Sequence, residues 1–192
     1  MFFFAFVSAA WAAAAEISPR HSGVPLMRVF TERETGGAAR NHAVAVHPSG
    51  LVDLANDVGL REFDGVSWRV VPGTERRMMF NVATDTVGRV YYCGPNHFGR
   101  LAVAADGART AQPLQAALPE ADREVGDGRG LVVLGDSVYF APTARALVVR
   151  VDAAGGVHVI RLPGRVAGIM PWAGVLYALV GEAVDRIDGE SC

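Results

Sequence analysis

Four short β-rich runs recur along this chain, each opened by a turn residue, and no other feature constrains the fold as strongly. The first is Gly50-Leu51-Val52-Asp53-Leu54 and the second Gly88-Arg89-Val90-Tyr91-Tyr92. The third is Asp136-Ser137-Val138-Tyr139-Phe140 and the fourth Gly174-Val175-Leu176-Tyr177-Ala178. Their anchors lie 38, 48 and 38 residues apart. The longer interval fits a loop inserted within residues 108–125. An apolar stretch precedes each anchor, at residues 43–46, 82–84, 131–134 and 166–170. A second turn follows. Phe63-Asp64-Gly65 and Ile187-Asp188-Gly189 stand at the same offset after Gly50 and Gly174. Leu101 takes the Phe63 place in the second unit, and Val151-Asp152 takes it two residues late in the third.

Each unit therefore reads strand, turn, strand, loop, strand, Asp-Gly turn, strand. Asp-Gly suits tight hairpins because both residues tolerate positive φ. Short strands with turns every 8–12 residues mark an all-β fold. Four strands per unit of about 40 residues is the pattern of a β-propeller blade. The competing architecture is a β-sandwich with accidental periodicity. Helical signals are weak, and the best stretch is residues 113–123, inside the inserted loop.

The expected blades span about 41–73, 79–112, 127–163 and 165–192, with an extension at 16–40. The fourth unit lacks an outer strand. Residues 27–31 could supply it and close a ring of four; otherwise the four units are part of a larger, seven-bladed ring. Ahead of all this, 14 of the first 15 residues are apolar and none is charged. That run is too short to span a bilayer. It ends in Ala13-Ala14-Ala15 before Glu16-Ile17-Ser18, so residues 1–15 read as a signal peptide and the rest as exported to the periplasm.

The stretch Gly59-Leu60-Arg61-Glu62-Phe63-Asp64-Gly65-Val66-Ser67-Trp68 carries the pattern G-L-x-x-F-D-G-x-x-W. It resembles the blade signature of two-component regulator propellers, the periplasmic sensor regions of bacterial histidine kinases and diguanylate cyclases. Residues 25–30 with 41–45, residues 94–101 and residues 118–123 are similar to further segments of that family. The resemblance covers roughly residues 25–190. It implies that Gly59, Leu60, Phe63, Asp64, Gly65 and Trp68 build the fold. Phe63 and Trp68 would pack between neighbouring blades and bury a large apolar area. It also implies partners: the remaining blades, a membrane segment and an output domain of a full-length receptor. No kinase or cyclase motif occurs in this chain.

The chemistry-bearing residues are sparse. His42 and His47 stand at opposite ends of one predicted strand, poor geometry for a shared metal. Gly126-Asp127-Gly128-Arg129-Gly130 lacks the Lys and Ser/Thr of a P-loop and reads as a turn into the third blade. Asp122, Glu124 and Asp127 form an acidic cluster that could hold calcium, with a solvated loop as the default. Cys93 reads as a buried small hydrophobe; a disulfide to Cys192 has nothing to support it. No catalytic residue, metal site or cofactor is expected.

A propeller's ligand meets the ends of its innermost strands. These should begin near Asn41, Met79, Asp127 and Arg165, and three of the four are polar. Asn41, Asp127 and Arg165 are therefore the candidate ligand-binding residues. A net charge of −2 excludes a strongly basic nucleic-acid surface. The leading expectation is a non-catalytic sensor module that binds a small molecule or glycan. A free-standing secreted binding propeller is the alternative. A propeller lactonase or lyase is the third class, and it would need carboxylates or histidines converging on a metal.

Overall fold

Period-2 alternation between Gly- and Asp-bearing turns dictates antiparallel hairpins, and the chain forms four of these meanders in succession. A computed structural model describes residues 27–187 except residue 144. The segment read as a signal peptide, the second turn of the fourth unit and Cys192 lie outside the described residues. The first sheet holds β1 (Asn41–Val46), β2 (Val52–Asn56), β3 (Gly59–Phe63) and β4 (Trp68–Val70). The second holds β5 (Asn81–Thr84), β6 (Val90–Gly94), β7 (His97–Val103) and β8 (Arg109–Pro113). The third holds β9 (Gly128–Leu134), β10 (Ser137–Pro142), β11 (Leu147–Val151) and β12 (Val157–Arg161). The fourth holds β13 (Val166–Trp172), β14 (Val175–Val180) and β15 (Ala183–Ile187). Every sheet is ordered as the chain runs, and every pairing within it is antiparallel.

The first strands of successive sheets stand side by side, β1 by β5, β5 by β9 and β9 by β13. Three apolar layers lie between the sheets. Leu60 and Ala55 of the first meet Val82, Val90 and Tyr92 of the second. Tyr91, Cys93 and Phe98 meet Val138, Phe140 and Leu147 of the third. Tyr139, Val148 and Ile160 meet Leu176, Ala178 and Ile187 of the fourth. Each sheet thus buries both faces only when it has a neighbour on both sides.

The Asp-Gly turn has a local cause. Asp64 Oδ1 accepts from the amides of Val66 and Ser67, each at 2.8 Å, and Gly65 sits at φ +96°. These amides, Ser67 first, hold the Asp64 carboxyl below its ordinary pKa. Gly59 is required for a different reason. Its φ is +134°, and a Cβ there would stand 2.9 Å from the Thr74 carbonyl oxygen. Gly59→Ala should therefore cost about 1–2 kcal/mol, read as a lower urea midpoint with an unchanged slope.

The aromatic pair takes the outer face of the first sheet, and two other expectations need correction. Phe63 and Trp68 do not pack between the first and second sheets. Alternation sends Leu60 and Glu62 toward the second sheet and Phe63 to the opposite face. There Phe63 stacks on Trp68 at 4.9 Å, and Phe30 meets both edge-on at 5.0 and 5.4 Å. Residues 27–31 form no strand beside the fourth sheet. They lead into α1 (Glu32–Thr35), whose capping box joins Thr31 and Glu34, and they lay Phe30 on the first sheet instead. Residues 113–123 form no α-helix but two 3-10 turns, Gln115–Ala117 and Glu120–Asp122. Between them Leu118 precedes Pro119 and is forced extended, at φ −79° and ψ 152°.

Candidate functional site

All four sheets present the same set of elements at one end. The first strand begins there, the turn between the second and third strands lies there, and the sheet-to-sheet connections cross it. Asn41, Asp127 and Arg165 are all at this end, as the sequence implied. They do not come together. Asn41 Oδ1 accepts from the amide of Asn56 at 2.7 Å. Asn56 is fully buried and also bonds the backbone of Ala38 and Arg40, so Asn41 belongs to a knot that ties the chain to the first sheet. Arg165 is exposed beside a separate depression formed with Pro163, Gly164, Val180 and Asp185.

Asp127 does line a groove. It runs between the second and third sheets, with Asn96, Glu124, Gly126, Thr143 and Arg145, and encloses about 410 Å³. A second depression of about 430 Å³, lined by Arg77, Met78, Pro95, Asn96 and His97, adjoins it through Asn96. Asn96 is held at φ +53°, which Asn tolerates better than most residues. Its amide donates to the Gly126 carbonyl at 2.7 Å, and its Oδ1 accepts from the Gly126 amide at 3.3 Å. The Gln115 amide donates to the Asn96 carbonyl at 3.1 Å. Thr143 donates to the Asp127 carbonyl through both its amide and its hydroxyl, at 2.8 and 3.1 Å.

Beneath the groove the two sheets meet through backbone. Pro95 and Asp127 form an isolated bridge. A Cβ on Gly128 would stand 3.1 Å from the Gly94 carbonyl oxygen, and one on Gly94 would collide with the Met78 carbonyl. The glycine-rich stretch is thus a close-approach element, in keeping with its reading as a turn.

The inserted loop forms one wall. Leu118 and Val125 are buried with the core between the second and third sheets. Asp122 is buried too, and its carboxylate takes two bonds from Arg161, at 2.9 and 2.7 Å. Arg145 Nη2 stands 3.6 Å from the same carboxylate and donates to the Ala121 carbonyl at 3.3 Å. The three acidic residues therefore do different things. Asp122 is engaged by two arginines, while Glu124 and Asp127 face the groove. The histidines also separate. His42 bonds Asp57 at 2.7 Å, and His47 bonds Ser49 and the Gly88 carbonyl at the other end of β1. His97 is buried with Nδ1 2.7 Å from the Pro95 carbonyl oxygen, and burial holds its pKa down. Cys93 is buried, its thiol pushed up to about 12 by loss of water, and it is no nucleophile at neutral pH.

The groove thus offers a cation (Arg145), carboxylates (Glu124, Asp127) and neutral hydrogen-bonding groups (Asn96, Thr143), with Arg77 in the adjoining depression. Of these, sequence reasoning named Asp127 as a ligand-binding candidate and Glu124 only as a member of an acidic cluster. It followed the first strands and overlooked the turns after β6 and β10, which reach the same end. The Pro95-Asn96 pair was the available signal, since it marks a tight turn.

No family model matches the chain, and no curated protein matches it. Solved structures do. Virginiamycin B lyase from Staphylococcus aureus superposes with a TM-score of 0.58 at 16% identity, over 77% of this chain and 52% of that one. The extracellular domain of BT4673 from B. thetaiotaomicron, assigned to a one-component or hybrid two-component system, gives 0.54 at 16% identity, over 78% of this chain and 21% of that one. A protein assigned to the gluconolactonases gives 0.51 at 15%, over 77% and 60%. The chain folds as a β-propeller arc. Its four sheets are blades, and it spans about half the length of the lyases it matches. The propeller's groove lies where blades 2 and 3 adjoin.

Proposed function

We propose that this chain is the ligand-binding module of an exported bacterial sensor, a non-catalytic propeller of a signal-transduction receptor of the two-component regulator type. The observation that carries the reading is the groove between blades 2 and 3. Its opposed charges and neutral hydrogen-bonding groups suit recognition of a small polar molecule or a glycan. The G-L-x-x-F-D-G-x-x-W stretch of blade 1 and the likeness to the extracellular domain of BT4673 support it. The site is then periplasmic. A membrane segment and a kinase or cyclase output domain are the partners that would turn occupancy into a signal. Neither a cofactor nor nucleic acid is expected to bind.

The lyases and the gluconolactonase on which the arc superposes suggest the competing reading, an enzyme, and one experiment separates the two. A panel of mono- and oligosaccharides and small polar metabolites is screened by thermal shift. Binding of a hit is measured by calorimetry, and the recovered ligand is analysed for chemical change. The sensor reading expects a hit that returns unaltered and binds at least tenfold more weakly to Arg145→Ala and Thr143→Val. A ligand returned cleaved or isomerised would overturn it in favour of a propeller lyase or lactonase.

A further inference from the structure

Both end faces of the arc are built like the faces it buries inside. Blades 2 and 3 each present a cross-strand Tyr–Arg pair to the following blade, Tyr91 opposite Arg100 and Tyr139 opposite Arg150. Those tyrosines are 1% and 8% exposed. Blade 4 repeats the pair as Tyr177 opposite Arg186. Around it the face carries Met170, Trp172, Leu179 and Val184, at 56%, 66%, 43% and 61% exposure. Met170, Tyr177, Leu179 and Val184 line an apolar depression of about 270 Å³ floored by Gly168 and Ala178.

The opposite end of the arc shows the same pattern. Two and four residues after their anchors, blades 2 and 3 carry Val90 with Tyr92 and Val138 with Phe140, all buried against the preceding blade. Blade 1 carries Val52 and Leu54 in those places, only half-buried, paired with exposed Val46 and Val44. A contiguous exposed apolar face on a sheet marks an interaction surface.

We infer that these two faces meet in a second copy of this chain, so that blade 4 of each protomer packs on blade 1 of the other. Two observations favour that occupant. The faces are the two complementary sides of one stacking interface, already made three times within the arc. The arc spans about half the length of the lyase chains on which it superposes, so two arcs have about the size of one such chain. A two-fold axis then makes both junctions equal, and a head-to-tail contact that closes gives a discrete assembly rather than a filament. Trp172, as a large exposed aromatic, would supply the anchor of each junction. The inference does not depend on what the groove binds.

The purified full-length chain should sediment at twice its chain mass. Leu179→Glu on the blade 4 face and Val44→Arg on the blade 1 face should each shift it to the single-chain mass, with far-UV circular dichroism unchanged. If either loses its cooperative melt, Trp172→Glu and Val46→Arg replace them. Mixing the two variants is the deciding step. Only head-to-tail packing leaves the mixed pair with one wild-type junction and one Glu–Arg junction, so the mixture should regain the double mass. A chain that stays at single mass up to its solubility limit overturns the inference and returns the faces to further blades. A ladder of growing species overturns closure. Two dissociated variants that do not rescue each other overturn the head-to-tail arrangement.

Discussion

Arg109→Leu should destabilise the arc by about 3–5 kcal/mol, the largest effect expected of any single replacement. Arg109 opens β8 of blade 2 and reaches 56 residues back into blade 1. Its Nη2 and Nη1 donate to the two oxygens of Asp53, at 2.6 and 3.1 Å, and its Nε donates to Glu62. Asp53 and Glu62 face each other across β2 and β3, and both are buried. Glu62 keeps a second partner in Arg69, so Asp53 is the group left stranded. A buried carboxylate without a partner is costly because the interior replaces none of its hydration. A loss of this size is a large share of the 5–15 kcal/mol typical of a domain.

The pH dependence gives the same replacement a second readout. Burial raises the Asp53 pKa from 3.8, and Arg109 pulls against that rise. Without the guanidinium the native pKa climbs further. A carboxyl with a higher pKa folded than unfolded binds its proton more tightly in the native state. Stability therefore falls as pH rises through the window above the ordinary carboxylate value, and recovers on acidification. Urea titrations from pH 7 towards pH 4 should show the gap between wild type and Arg109→Leu narrowing steadily. A gap that stays constant would mean that lost packing, not a stranded charge, explains the effect.

Asp122→Ala should cost about 1.5–3 kcal/mol, the range of hydrogen bonds that involve charged groups. The loss is smaller than at Arg109 because the groups left behind can reach water. The Arg161 and Arg145 side chains are 60% and 35% exposed. The local effect should be larger than the global one. Asp122 is the polar anchor of the inserted loop, with Leu118 and Val125 as its apolar anchors. Hydrogen exchange at residues 118–125 should quicken before the blades themselves open. Arg145 would lose one of its two tethers, so ligands of the groove should bind more weakly too. Arg161→Ala, which leaves Asp122 its contact with Arg145, should fall between Asp122→Ala and wild type. Unchanged exchange at residues 118–125 would rule out the anchoring role.

What could be read from the chain alone was whatever has a local cause. First strands were expected near residues 41, 79, 127 and 165, and they begin at Asn41, Asn81, Gly128 and Val166. Strand alternation and turn chemistry act over a few residues, and the Asp64 carboxylate on its own turn amides shows it. What escaped was set by stacking. Nothing near Arg109 announces Asp53, because their meeting depends on how blade 2 leans on blade 1. Phe63 and Trp68 lie on the face of blade 1 turned away from blade 2, as alternation with Leu60 and Glu62 requires, so the neighbour that the family resemblance implies for them is not among the described sheets. The groove was half visible. Asp127 was found through its strand, but Asn41 is absorbed by Asn56, and Asn96 and Arg145 sit on turns that a search along first strands does not visit.

Beneath the groove, Gly94 and Gly128 bring two backbones together with no side chain between them, while the groove's polar groups other than Asp127 stand on turns or on the inserted loop. Support and the rest of the polar lining are therefore carried largely by different residues. Exchange of Glu124, Thr143 or Arg145 leaves the bare backbone seam intact, so such a scaffold can drift from one ligand to another by point changes at the rim. Replacement of Gly128 does the reverse: its Cβ would press on the Gly94 carbonyl of blade 2 and strain the seam beneath the whole groove. Libraries built to redirect binding should randomise the rim and leave the seam untouched.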